Sequence, residues 1–302
     1  MKVTAYPYYT PPFSSYNVAQ SAVVPFLDKD LNLVVFFATA VGKTVLAECC
    51  FAYHLATAHK SRVAYVCPTK SLASEKHSEW AKNLQLGQYG LVLATSDTET
   101  SIEDFEESRL SMMTLETFDA KTRTDGYRDW LRSLVCVVFD EAHLLGDESR
   151  GGAVESAMMR FSAINPAARI VLLSATMANA KELAQWVKSL NGKGTKCIVS
   201  SWRPSRIRID YEVVEDTEEK VVKAVKLAAE SSRMKTVVFV HSKIVGGDIV
   251  KRLKSAGVKA AFHNASVSPG RRRKIEQVFN DKMSGLNVLV STSTLGAGVN
   301  VG

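Results

Sequence analysis

Long apolar runs are absent: no stretch of the 302 residues reaches the roughly 18 apolar positions that a membrane-spanning helix needs. Residues 1–16 are rich in Pro and Tyr and hold no apolar core of the kind a secretory leader carries. Cysteine is sparse. The five (Cys49, Cys50, Cys67, Cys136 and Cys197) lack metal-ligand spacing, and several fall inside apolar runs. They read as buried free thiols in a reducing compartment. The expectation is an intracellular protein with no membrane partner, cytoplasmic in a prokaryote and nuclear in a eukaryote. Acidic residues run short in one half only. Residues 1–202 carry 20 Lys and Arg against 21 Asp and Glu, whereas residues 203–302 carry 18 against 10. A basic half beside a neutral one suits a polyanionic partner, although a solvated Lys-rich face gives the same count.

What is present is a globular composition, 46% hydrophobic and 23% charged, in a chain long enough for two domains. Short apolar strands alternate with helical stretches, the signature of an α/β fold with parallel sheets under helices. Strands are expected near residues 33–38, 62–67, 90–94, 110–114, 135–139 and 169–173. Helices are expected near 43–57, 71–83, 150–163 and 179–190. Gly192 to Gly194 and then Trp202-Arg203-Pro204 interrupt the pattern and divide the chain into 1–202 and 203–302. The alternation restarts with strand 236–240, helix 243–256, strand 258–262, helix 270–280 and strand 287–291. The segment 205–214 is a further strand candidate. Gly246-Gly247 inside a predicted helix costs about 1 kcal/mol per Gly relative to Ala, for no reason visible in the sequence.

Two strand ends carry the chemistry. Leu33 to Phe37 empties into Ala38-Thr39-Ala40-Val41-Gly42-Lys43-Thr44, a strand-to-helix turn. There, backbone N–H groups and the helix dipole face phosphates, Lys43 supplies a point charge, and the Thr44 hydroxyl suits Mg²⁺. Phe37 occupies the first Gly position of the strict pattern G-x-x-x-x-G-K-[ST], and a Gly-Lys-Thr turn that merely caps a helix has the same letters. Leu134 to Phe139 empties into Asp140-Glu141-Ala142-His143. Two adjacent carboxylates after a buried strand are costly unless something cationic sits there. Asp140 would hold Mg²⁺, and Glu141 would position and deprotonate an attacking water. With Lys43, the pair implies hydrolysis of a nucleoside triphosphate.

The motif series then resembles a family. In order it runs FATAVGKTVLAE (37–48), PTKSLASEK (68–76), DEAHLLGDESRGGAVE (140–155) and LSATMANAKELAQWV (173–187). It continues with SSWRPSRI (200–207), VVFVHSK (237–243), AFHNASVSPGRRRKIEQVF (261–279) and VLVSTSTLGAGVN (288–300). This is similar to the superfamily-2 DExH-box helicases, in the Ski-two-like branch of archaeal DNA-repair helicases and the polymerase-theta helicase domain. The resemblance implies two tandem RecA-like parallel-sheet domains of the P-loop NTPase kind, the second incomplete. It implies ATP and Mg²⁺, with hydrolysis coupled to movement on a single strand. Single-stranded DNA or a forked duplex is the preferred partner, with RNA as the alternative.

Site roles follow from the same resemblance. Gln20 would read adenine, with Tyr16 or Phe13 stacking on the base; Thr39, Ala40, Val41, Gly42, Lys43 and Thr44 would hold the phosphates. Lys43, Asp140, Glu141 and His143 would serve catalysis, and Thr44 and Asp140 the metal. Ser174, Ala175 and Thr176 would couple hydrolysis to movement. Pro68, Thr69, Lys70, Thr114 and Glu116 would grip the strand from the first domain. His241, Ser242, His263, Arg272, Arg273, Thr292 and Thr294 would do so from the second. The Arg271 to Lys274 run also reads as a partly solvated helix face.

The chain departs from the family at Asn264, Ser266 and Ser293, and it stops just after the fifth helicase motif. A duplex-parting hairpin and a Q-x-x-G-R-x-G-R segment would come next. The expectation is a fragment whose partner is the remaining C-terminal part of the same protein, with 288–291 or a neighbouring strand as an exposed sheet edge. A nucleotide-dependent nucleic-acid clamp without efficient turnover is the competing expectation.

Overall fold

The computed structural model describes residues 5–175, 178–292 and 295, and the chain divides into two units, 1–206 and 207–302. The first unit begins with α1 (Val18–Val23), β1 (Asn32–Phe37), α2 (Lys43–Thr57), β2 (Arg62–Cys67), α3 (Lys70–Lys82) and α4 (Leu84–Gly87). It continues with β3 (Leu91–Ala94), α5 (Ile102–Glu107), β4 (Leu110–Thr114), α6 (Leu115–Thr122), α7 (Arg128–Ser133) and β5 (Leu134–Phe139). Then come α8 (Gly151–Ile164), β6 (Arg169–Ser174), α9 (Ala180–Asn191) and β7 (Thr195–Ser200).

The seven strands pair in parallel in the order β3-β4-β2-β5-β6-β1-β7. Strands with period-2 side chains but apolar residues on both faces must be covered twice. Leu33, Val35 and Phe37 of β1 pack with Phe51 of α2 and Trp80 of α3. Val34 and Phe36 face the other way, toward Met158 and Phe161 of α8 and Val187 of α9. Because all strands run the same way, their C-terminal ends gather along one edge, where ligands of open α/β sheets bind. Gly192, at φ 73°, closes α9 in the left-handed conformation and donates its N–H to the Lys188 carbonyl at 2.8 Å. That turn leads into β7, an edge strand that the sequence pattern did not reveal because only Ile198 along it is buried.

The second unit holds α10 (Thr217–Glu230), β8 (Thr236–Phe239), α11 (Lys243–Ser255), β9 (Ala260–His263), α12 (Pro269–Asn280) and β10 (Val288–Ser291). Its three strands are parallel in the order β8-β10-β9. Of the two expected edges, 288–291 or a neighbouring strand, the neighbours hold the place: β10 is central and buried throughout, and among the described residues the edges are β8 and β9. Residues 205–214 form no strand, and Ile207, Ile209, Tyr211 and Val213 stand exposed along them. Gly246 acquires its reason here. A Cβ on it would lie 2.5 Å from Cζ of Phe262 in β9, so α11 can approach the sheet only with Gly at that position.

Candidate nucleotide site and nucleic-acid groove

The loop between β1 and α2 is an anion cradle by its backbone. Ala40 and Gly42 both take positive φ, 62° and 83°, the left-handed backbone from which anion-binding nests of N–H groups are built. A Cβ at Gly42 would sit 2.6 Å from Nε2 of Gln20. Gln20 is buried, and its amide is committed to the protein: Oε1 accepts the Asn17 N–H at 3.1 Å, and Nε2 donates to the Gly42 carbonyl at 3.1 Å. Asn17 Nδ2 donates to the Val41 carbonyl at 3.0 Å. The Gln20 contact therefore braces the loop itself, and Asn17, absent from the sequence-based site, braces it too. Tyr16 is fully buried with its hydroxyl 3.3 Å from Cys49 Sγ, which removes it as a base-stacking candidate; Phe13 is the exposed one of the two.

Lys43 opens α2. It is a buried cation whose Nζ donates, among the described residues, to two carbonyls at the end of β1 and the start of the loop, Phe37 at 3.3 Å and Ala38 at 3.5 Å. A buried ammonium held by the loop's own carbonyls fits a polyanion that can replace them. Thr44 follows with no side-chain hydrogen bond among the described residues.

The second strand end faces this loop. The Asp140 N–H continues the β2–β5 ladder to the Val66 carbonyl at 2.8 Å. Its carboxylate accepts the Glu141 N–H at Oδ1, 2.9 Å, and the Tyr65 hydroxyl at Oδ2. Glu141 sits at φ 52°, ψ 45°, a left-handed conformation that costs a non-Gly residue about 1–3 kcal/mol and is commonly retained at working sites. Burial and the adjacent Asp140 carboxylate push the Glu141 carboxyl above its usual range, against the pull of Lys43 and His143. His143 Nδ1 lies 3.2 Å from Glu141 Oε2 and 3.5 Å from Ser174 Oγ. The structure thus joins the acidic motif to the end of β6, where Ser174 and Ala175 sit; Thr176 lies outside the described residues. Such a set of a phosphate cradle, a cation, a hydroxyl and two carboxylates can hold a nucleotide with a divalent metal and poise a water for attack.

The C-terminal ends of β2, β3 and β4 border an open groove of about 1120 Å³ that brings together Pro68, Thr69, Lys70, Thr114 and Glu116. The hydroxyls expected to grip a strand serve first as helix caps. Thr69 accepts from the Leu72 N–H at 3.2 Å to start α3, and Thr114 from the Thr117 N–H at 3.4 Å to start α6. Positive helix ends consequently face the groove. Arg150, which the site prediction omitted, donates to the Pro68 carbonyl at 2.7 Å and to Glu116 Oε1 at 2.6 Å. It neutralises the one carboxylate of that predicted set and ties two strand ends together.

In the second unit His241 is exposed just past β8, and Ser242 caps α11 through the Ile244 N–H at 3.2 Å. His263 is buried with Nε2 2.8 Å from Glu276 Oε1, a contact that fastens β9 to α12. Arg272 is half-buried and Arg273 exposed on α12; Thr292 follows β10 with its N–H on the His263 carbonyl at 3.2 Å. Thr294 lies outside the described residues.

Comparison with known proteins agrees with this arrangement. The sequence profile of the DEAD/DEAH box helicases matches residues 17–183, and that of the helicase conserved C-terminal domain matches 216–302. The ATP-dependent DNA helicase Hel308 of Methanococcus vannielii is 27% identical across 91% of this chain and 43% of its own length. The Hel308 of Thermoplasma acidophilum is 30% identical across 93% and 45%. The chain thus spans about half the length of the curated relatives it matches. The crystal structure of the DUF1998 helicase MrfA bound to DNA and AMPPNP superposes with a TM-score of 0.79 over 96% of this chain and 43% of that one, at 20% identity. That likeness establishes the fold, a pair of RecA-like α/β units. With a family profile covering more than half of its residues, the chain belongs to the DEAD/DEAH box helicases.

Proposed function

We propose that this chain is the ATP-driven motor portion of a DNA helicase, hydrolysing ATP with Mg²⁺ and moving on a single strand or at a fork. The observation that carries the reading is the meeting of buried Lys43 with the Asp140-Glu141 pair at one sheet edge, beside a groove of helix N-termini. Lys43 would exchange the Phe37 and Ala38 carbonyls for phosphate oxygens, with the N–H groups of residues 39–44 beside it. Thr44 and Asp140 are the residues that would hold Mg²⁺, which offsets phosphate charge and polarises the bond to be broken. Glu141, beside the Asp140 that would hold the metal, is the base for the attacking water. His143, placed between Glu141 and Ser174, would report the state of the acidic pair to the end of β6. The capped ends of α3 and α6 suit phosphate contact without base readout. Similarity to chains named as DNA helicases favours DNA over RNA.

Steady-state ATP hydrolysis, with and without single-stranded DNA or RNA, tests the reading. Turnover is expected to rise with DNA, to drop at least about 100-fold in Glu141→Gln and to vanish in Lys43→Ala. Nucleotide-dependent strand binding without turnover would leave a clamp, and stimulation by RNA alone would move the substrate class.

A further inference from the structure

We propose that Tyr65 is a positioning residue that holds the Asp140 carboxylate in the orientation its metal role requires. The inference rests on the nucleotide-site reading above. Tyr65 is the middle of β2, paired with Met112 of β4 on one side and Val138 of β5 on the other. It is fully buried, with its ring edge-to-face against Trp80 at 5.0 Å between centroids. A core position of this kind is filled most cheaply by Phe, because a phenol hydroxyl away from water costs free energy unless it is partnered. The partner here is Asp140 Oδ2. The register explains how they meet. Tyr65 pairs with Val138, Asp140 lies two residues further along and on the same face, and two residues of strand advance about 6.6 Å. The tyrosine side chain spans that distance.

The Asp140 carboxylate is therefore held at both ends, by the Glu141 N–H on Oδ1 and by the Tyr65 hydroxyl on Oδ2. Each oxygen retains a lone pair, directed by the two donors. A hydroxyl that orients a metal-holding carboxylate acts as an outer-shell group, whose loss costs about 10–100-fold in metal affinity or activity.

The test is equilibrium binding of a fluorescent ATP analogue to the full 302-residue chain, in excess Mg²⁺ and in EDTA, for wild type, Tyr65→Phe and Asp140→Ala. Tyr65→Phe deletes one oxygen and keeps the ring on Trp80. Wild type is expected to bind more tightly with Mg²⁺, and Tyr65→Phe to lose about 10-fold of that gain with its EDTA affinity unchanged. An intact Mg²⁺ gain in Tyr65→Phe, or an equal loss of affinity in EDTA, overturns the proposal, the latter marking a structural role. If wild type shows no Mg²⁺ gain, or Asp140→Ala keeps it, the metal reading of the site falls instead.

Discussion

Glu48 binds together three parts of the first unit from one buried carboxylate. It lies on α2, the helix that Lys43 opens, and accepts the Tyr9 hydroxyl at 2.8 Å and Trp80 Nε1 of α3 at 2.7 Å. Asn83 Nδ2 in turn donates to the Tyr9 hydroxyl at 2.9 Å. Burial holds the Glu48 carboxyl above its usual range despite these two donors. The unfolded chain therefore ionises Glu48 first as pH rises, and between the ordinary and the raised value the folded state binds more protons. Stability from this group is complete below the ordinary Glu value and declines as pH rises through the window. Glu48→Gln has no such proton to lose. The thermal midpoint of wild type relative to Glu48→Gln is expected to fall from pH 4 upward and then level off; a difference independent of pH would remove the argument. Residues of this sort were illegible in sequence. Lys43, Asp140 and Glu141 announce themselves by local spacing, whereas Tyr65 meets Asp140 across 75 residues and Arg150 meets Pro68 across 82.

At the scale of elements, the double glycine of α11 separates two effects that the sequence merges. Both glycines cost helix propensity, but only Gly246 faces β9, with a Cβ there 2.5 Å from Phe262 Cζ and 3.0 Å from Val240 Cγ2. A Cβ at Gly247 meets nothing within 4 Å. Gly247→Ala is expected to stabilise the second unit by about 0.4–1 kcal/mol. Gly246→Ala should destabilise it by about 1–3 kcal/mol through overpacking. Urea denaturation of both variants checks this, and changes of the same sign would contradict it. The same contrast explains which elements could be foreseen. Strands buried on both faces, such as β1 and β5, read as continuous apolar runs. β7 buries Ile198 alone, whereas α10 sets Val221, Ala224, Val225, Ala228 and Ala229 on one face at helical spacing, a legible stripe that the expected elements omit; residues 205–214 show strand-like alternation yet have no sheet partner among the described residues.

At the scale of the whole chain, stability divides as the cores do. The two large buried clusters run from Tyr6 to Ile198 on the two faces of the seven-stranded sheet. The second unit relies on two small clusters, one around Val221, Leu253 and Val288 and one around Phe279 and Leu289. Apolar area removed from water stabilises at about 25 cal/mol per Å², so the unit with the smaller core is expected to melt first. A chain whose units have separate cores need not unfold as one cooperative system. Scanning calorimetry should then show two transitions, with Gly246→Ala lowering only the earlier one. Glu48→Gln, buried in the first unit, should move only the later one. A single transition shifted by both substitutions would mean that the units unfold together, and that the small sheet draws its stability from the large one.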